Sequence, residues 1–267
     1  MRTLTILTAL CLFLAGAADA ALVDYTGGSY SWVAYNNMTA TLGQAIPPHV
    51  TGFTVDNDRP GLEVTSGELL DYATGSGTNV ILTVSEVNPP VHYLWVDGTT
   101  GHTAHAIFAD VLGASYTGNV IVHNLGSTQL LTFSGLDPGK NYTFAGVATA
   151  PSQYYGGLSS VELQGADGAT NESVLTGDAA LGTFPGFGTT PTSTFISYLD
   201  DDLALWSGIT PGNDGTFSIL VTSVQVGWRE WAPGFDAIVL AETIPEPATL
   251  SMLVLGACLT FFRRKRW

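Results

Sequence analysis

Residues able to do chemistry are thinly spread over this 267-residue chain. His102-Thr103-Ala104-His105 sets two imidazoles three positions apart. On a helix they would share a face and could hold zinc. The flanking residues read instead as a loop entering a strand, where the two rings point to opposite sides, so no zinc site is expected. Asp200-Asp201-Asp202 and Asp56-Asn57-Asp58 fall in turn-like stretches, and oxygen-rich loops suit a structural calcium. Neither has the Asp-x-Asp-x-Asp-Gly spacing of a dedicated calcium loop, so solvated turns are the main expectation and no resident cofactor is called for. Gly75-Ser76-Gly77 lacks the Gly-x-Ser-x-Gly elbow and the helix that exposes a nucleophilic serine. No pair of acids is singled out by context for glycoside hydrolysis. Catalysis is therefore not expected.

Aromatic residues offer a different chemistry. Trp228 and Trp231, in Trp228-Arg229-Glu230-Trp231, and Tyr154 and Tyr155, in Gln153-Tyr154-Tyr155-Gly156, stand in loop-like stretches next to strand patterns. Exposed rings stack on the apolar faces of sugars, while nearby carboxylates and amides bind hydroxyls, so these four residues are candidates for carbohydrate binding. The competing expectation is that the two tryptophans close one end of a hydrophobic core. Trp32, Trp95 and Trp206 lie inside strand patterns and are expected in the core.

The elements that must position these residues read as β throughout. Short runs of β-branched and aromatic residues alternate with Gly, Pro, Asn and Asp, and no long stretch shows helical periodicity. Strands are expected at 29–35, 80–84, 91–96, 119–123, 130–133, 142–149, 159–164, 193–199, 204–206, 216–224 and 237–241. The first would put Tyr30, Trp32 and Ala34 on one face; that starting at Tyr142 would align Phe144, Gly146 and Ala148 with it. So many strands in about 223 residues imply an all-β, two-sheet β-sandwich of jelly-roll or other Greek-key type.

The two ends differ from this body. Met1-Arg2, the apolar core Leu4–Leu14 and Ala18-Asp19-Ala20 form a secretory signal peptide over residues 1–20, with cleavage expected before Ala21. At the other end stand Ile244-Pro245-Glu246-Pro247, the uncharged run Ala248–Phe262 and Arg263-Arg264-Lys265-Arg266-Trp267. At about 1.5 Å per residue the run covers roughly 22 Å, short for a hydrocarbon core of about 30 Å unless arginines snorkel and aromatics sit at the interface. The basic cluster Arg263, Arg264, Lys265 and Arg266 would stop the helix on the cytoplasmic side and leave the prolines outside. The body is then residues 21–243, and residues 244–267 are an appended signal.

Composition follows this division. Both cysteines, Cys11 and Cys258, lie in the membrane-directed ends, so the body holds no disulfide or thiolate. Of the eight Lys and Arg only Arg59, Lys140 and Arg229 belong to the body, against 21 of the 23 acids, leaving it near −18. That charge makes anionic lipid a poor partner, and no nucleic-acid partner is expected. Neutral polysaccharide, divalent cations or a basic protein are not.

Residues 245–266 closely resemble the PEP-CTERM sorting signal of Gram-negative bacteria, in the motif Pro245-Glu246-Pro247-Ala248, the apolar segment Thr249–Phe262 and the basic end Arg263–Arg266. Similar tails also carry an ice-binding-protein label, which describes the tail and not the body. The resemblance implies a membrane transpeptidase of the exosortase type as partner, with Pro245, Glu246 and Pro247 as its recognition element. It also implies a precursor held in the inner membrane before transfer to the cell surface or extracellular matrix, often beside exopolysaccharide. Leu136-Asp137-Pro138-Gly139-Lys140-Asn141-Tyr142 resembles the corner of fibronectin type III and related sandwiches. There Pro138 would preset a turn, Gly139 allow a positive φ, and the Tyr142 hydroxyl reach the corner's backbone. More loosely, Tyr35-Asn36, Gly135–Phe144, Gly165–Gly168 and Phe235–Leu240 resemble pieces of the extracellular domains found before such tails, which bring no activity with them.

Overall fold

The computed structural model describes residues 29–38, 46–53, 64–87, 92–94, 108, 120–123, 126–147, 158–174, 190–197, 202–225 and 232–244. They form β1 (Tyr30–Asn37), β2 (Thr51–Gly52), β3 (Ser66–Leu70), β4 (Gly77–Val87), β5 (His92–Leu94), β6 (Val120–His123), β7 (Thr128–Ser134) and β8 (Asn141–Val147). Next come β9 (Leu158–Gln164), β10 (Ala166–Asn171), β11 (Ser193–Ser197), β12 (Ala204–Pro211), β13 (Phe217–Gln225), β14 (Ala232–Pro233) and β15 (Ala237–Thr243). One six-stranded sheet has the order β10-β12-β8-β15-β1-β2, a second β11-β9-β13-β7-β4-β3, and a small third β14-β6-β5. Among the described residues no helix is long and apolar enough to cross a membrane. The leader expected at 1–20 and the membrane helix expected at Ala248–Phe262 lie outside them.

The two large sheets face each other across one core. Leu131 and Phe133 of β7, Val161 and Leu163 of β9 and Phe217, Ile219 and Val221 of β13 meet Tyr142 and Phe144 of β8, Trp206 and Ile209 of β12 and Ile238 and Leu240 of β15. Phe133 and Phe144 touch between the sheets, with centroids 6.0 Å apart. Full burial of one such phenylalanine is worth about 1.5–3 kcal/mol.

Sequence texture separates the two sheets. In β7, Thr-Gln-Leu-Leu-Thr-Phe-Ser alternates partly exposed and buried residues, the pattern of a sheet with one face in solvent. In β15, Ala-Ile-Val-Leu-Ala-Glu is buried continuously, because its sheet is covered on both sides. Ile238 and Leu240 point into the shared core, while Ala237, Val239 and Ala241 join a second cluster with Val33, Tyr35, Ala145, Val147, Leu203, Leu205 and Phe108.

Connections define two ends. From β7 to β13 successive strands alternate between the two large sheets. At the corner end lie the β7–β8 link, Gly165 and the β12–β13 turn, together with the start of β1 and the end of β15. At the opposite loop end, β1, β4, β8, β11 and β13 finish and β7, β9, β12 and β15 begin.

Several expectations need correction. Tyr30 does not share a face with Trp32 and Ala34. A register shift between Tyr30 and Trp32 turns Tyr30 towards the second cluster, while Trp32 and Ala34 stay with the core. Tyr142 and Phe144 do line the core, and a Cβ on Gly146 would meet the Phe235 ring at 2.6 Å; Ala148 lies outside the described residues. At the corner, positive φ falls on Gly135 (80°), not on Gly139. β10 was not expected, since Ala-Asp-Gly-Ala-Thr-Asn holds a single β-branched residue and no aromatic; it pairs with β12 as an edge strand with two register shifts. The short strands β2, β3 and β14 were not expected either.

Candidate functional site

The residues singled out for sorting and for sugar binding all lie outside the described residues: Pro245, Glu246 and Pro247, the basic Arg263–Arg266, and Trp228, Trp231, Tyr154 and Tyr155. So do His102, His105, Trp95, Asp56, Asp58, Asp200 and Asp201. Asp202 is described, and it is buried. Among the described residues no three His, Cys, Asp or Glu side chains are grouped to hold a metal. Of the expected core tryptophans, Trp206 is fully buried with its indole N–H on the Pro191 carbonyl at 3.0 Å, and Trp32 packs partly buried against the core.

The described flanks of these segments carry the information. The segment holding Tyr154 and Tyr155 runs from Val147 to Leu158, and that holding Trp228 and Trp231 starts after Gln225. Leu158 and Gln225 are cross-strand partners in β9 and β13. Both aromatic stretches thus depart from adjacent strand ends at the loop end.

The interior beside that end is polar. Ser223 is the cross-strand partner of Ser159, and its N–H donates to the Ser127 carbonyl at 3.0 Å, giving a row of three buried serines, Ser127 just before β7, Ser223 in β13 and Ser159 in β9. Gln129 Oε1 accepts from the Phe235 N–H at 3.2 Å, and Asn36 lies buried at the end of β1. Asn36 Oδ1, Ser127 Oγ, Gln129 Nε2 and Ser223 Oγ have no hydrogen-bond partner among the described residues. Each such atom costs about 1–3 kcal/mol of desolvation.

The corner end is knotted instead. Glu242, near the end of β15, accepts from Lys140 Nζ at 2.7 Å and Ser31 Oγ at 2.5 Å on one oxygen, and from Trp32 Nε1 at 3.1 Å on the other. Burial raises the pKa of this carboxyl, but the bonds from Lys140 and Ser31, the Lys140 charge and the Trp32 indole together hold it below its ordinary value. The bond to Glu242 raises the pKa of Lys140 in turn. Beside them the Tyr142 ring lies in the core, 6.0 Å from Trp32, and its hydroxyl accepts the Asp137 N–H at 2.9 Å. Burial pushes the phenol's pKa up. The bond runs from corner backbone to tyrosine hydroxyl, as the seven-residue resemblance implied.

The knot was not anticipated from sequence. Its signals were present: Lys140 is one of three cations in the body, and Glu242 breaks an apolar final strand. Nothing local says that residues 102 positions apart meet.

The final described bond, Ile244 N–H to the Ser29 carbonyl at 2.8 Å, ties the chain to the residue just before β1, one residue before Pro245. Comparison with known proteins adds no relative: no family model, curated protein or solved structure matches the chain.

Proposed function

We propose that this is an exported protein of the cell surface or extracellular matrix, sorted through residues 244–267, whose body acts by being displayed rather than by turning over a substrate. The carrying observation is the ordered label of Pro-Glu-Pro, uncharged run and basic stop, which begins one residue after the last bond to the body among the described residues. Arg2 and the apolar Leu4–Leu14 supply the export signal. The partner is a membrane transpeptidase of the exosortase type, and the unprocessed precursor sits in the inner membrane. Glu246→Ala should leave precursor accumulating in the membrane fraction of a host that carries such an enzyme. Unchanged processing would count against the sorting signal.

The body is proposed to be a β-sandwich of jelly-roll type. Two interleaved strand orders support this, β1-β15-β8-β12 in one sheet and β7-β13-β9-β11 in the other.

A second function, carbohydrate binding by the body, is favoured by one observation. The stretches containing Tyr154 and Tyr155 and containing Trp228 and Trp231 depart from the paired residues Leu158 and Gln225. The high acidity of the body makes neutral envelope or environmental polysaccharide the fitting ligand. Glycan-array binding with tryptophan quenching tests it, and no binding to any glycan leaves display alone.

A further inference from the structure

We infer that the body stands on the membrane by its corner end, with the loop end carried outward; this rests on the proposal that residues 244–267 anchor the precursor. The corner end is fixed as the exit point. β15 pairs with β1 and β8 up to Thr243, Glu242 is tied to Ser31, Trp32 and Lys140, and Ile244 N–H bonds Ser29. The chain therefore has no slack inside the body.

The tether beyond it is short. From Ile244 to Thr249, where the apolar segment starts, five residues span at most about 17 Å fully extended. Two of the five are prolines with fixed φ, which limits folding back. From Ala237 to Thr243, β15 alone rises about 20 Å from loop end to corner end. A tether shorter than the body, attached at one pole, does not let the body invert with its loop end against the surface and its corner end outward.

Two consequences follow for partners. A membrane-embedded enzyme that engages Pro245–Pro247 must meet the corner surface, formed by the β7–β8 link and the Gly212–Thr216 turn. The paired strand ends at Leu158 and Gln225 instead point away from the membrane, where a polysaccharide would approach.

The test compares single cysteines at the two ends of the full chain, with Cys11 and Cys258 replaced by Ser. Asn213→Cys lies in the exposed β12–β13 turn and Val224→Cys on the exposed face of β13 near the loop end. Spheroplasts bearing the membrane-held precursor are treated with a bulky, membrane-impermeant polyethylene-glycol maleimide. Val224→Cys should react several-fold faster than Asn213→Cys. A Gly/Ser spacer of about 20 residues inserted after Ile244, with a root-mean-square reach of about 25 Å, should abolish the difference while the chain remains in the membrane pellet. Equal rates without the spacer, or faster reaction at Asn213→Cys, would overturn the orientation. Absence of the chain from the membrane pellet would sink the anchor assignment itself, and the orientation with it.

Discussion

Replacing Glu242 with glutamine keeps the side chain's shape and removes its charge. Its two oxygens together accept from Lys140, Ser31 and Trp32, and only 11% of the side chain is exposed. Hydrogen bonds to a charged group contribute about 1.5–3 kcal/mol and neutral ones about 0.5–1.5 kcal/mol, so converting this set to neutral bonds should cost about 2 kcal/mol. At roughly 2–4 °C per kcal/mol for a body of this size, the melting temperature should fall by about 4–8 °C. Thermal unfolding followed by tryptophan fluorescence measures it. The pH dependence is the stricter check. The folded-state pKa of Glu242 lies below its ordinary 4.5. Its contribution is therefore present above 4.5 and lost as pH falls through the folded value. The gap between wild type and Glu242→Gln should be full at neutral pH and narrow on acidification below that. On the alkaline side it should also close, because Lys140, raised above 10.5, contributes below that pH and loses its contribution as pH rises through its folded value. A gap of equal size at neutral pH and about pH 3 would refute the charged-knot account.

Three further outcomes follow from the packing. Tyr142→Phe removes the acceptor of the Asp137 N–H and should cost about 1 kcal/mol, seen as a lower denaturation midpoint with unchanged slope. Gly146→Ala places a Cβ 2.6 Å from the Phe235 ring and should cost about 1–3 kcal/mol by the same measurement, whereas Gly168→Ala, which meets nothing within 4 Å, should be nearly silent. Ser223→Ala removes a buried hydroxyl that has no partner among the described residues and should be neutral or stabilise by up to about 1 kcal/mol; a loss of about 1 kcal/mol or more would mean the hydroxyl is bonded.

The sequence by itself determined the class of the body and the location of most of its strands. Strand pattern is local: alternation in Thr128–Ser134 and β-branched bulk in Phe217–Gln225 are visible without any partner. The corner was legible too, because a proline-glycine turn and the tyrosine that closes it lie within seven residues. The tail was read entirely from order and spacing, as were the aromatic candidates.

Tertiary structure decided what depends on pairing. The edge strand β10 exists because β12 offers a partner, not because Ala166–Asn171 favours extension. A register shift at the start of β1 sends Tyr30 to the opposite face from Trp32, which alternation alone misassigns. Sheet order brings Leu158 beside Gln225 and Lys140 onto Glu242, contacts whose sequence separation leaves no local trace. The sequence therefore carries the proposal for what each end of the chain is for. The packing of two sheets decided that the tail and the aromatic stretches leave from opposite poles of the body.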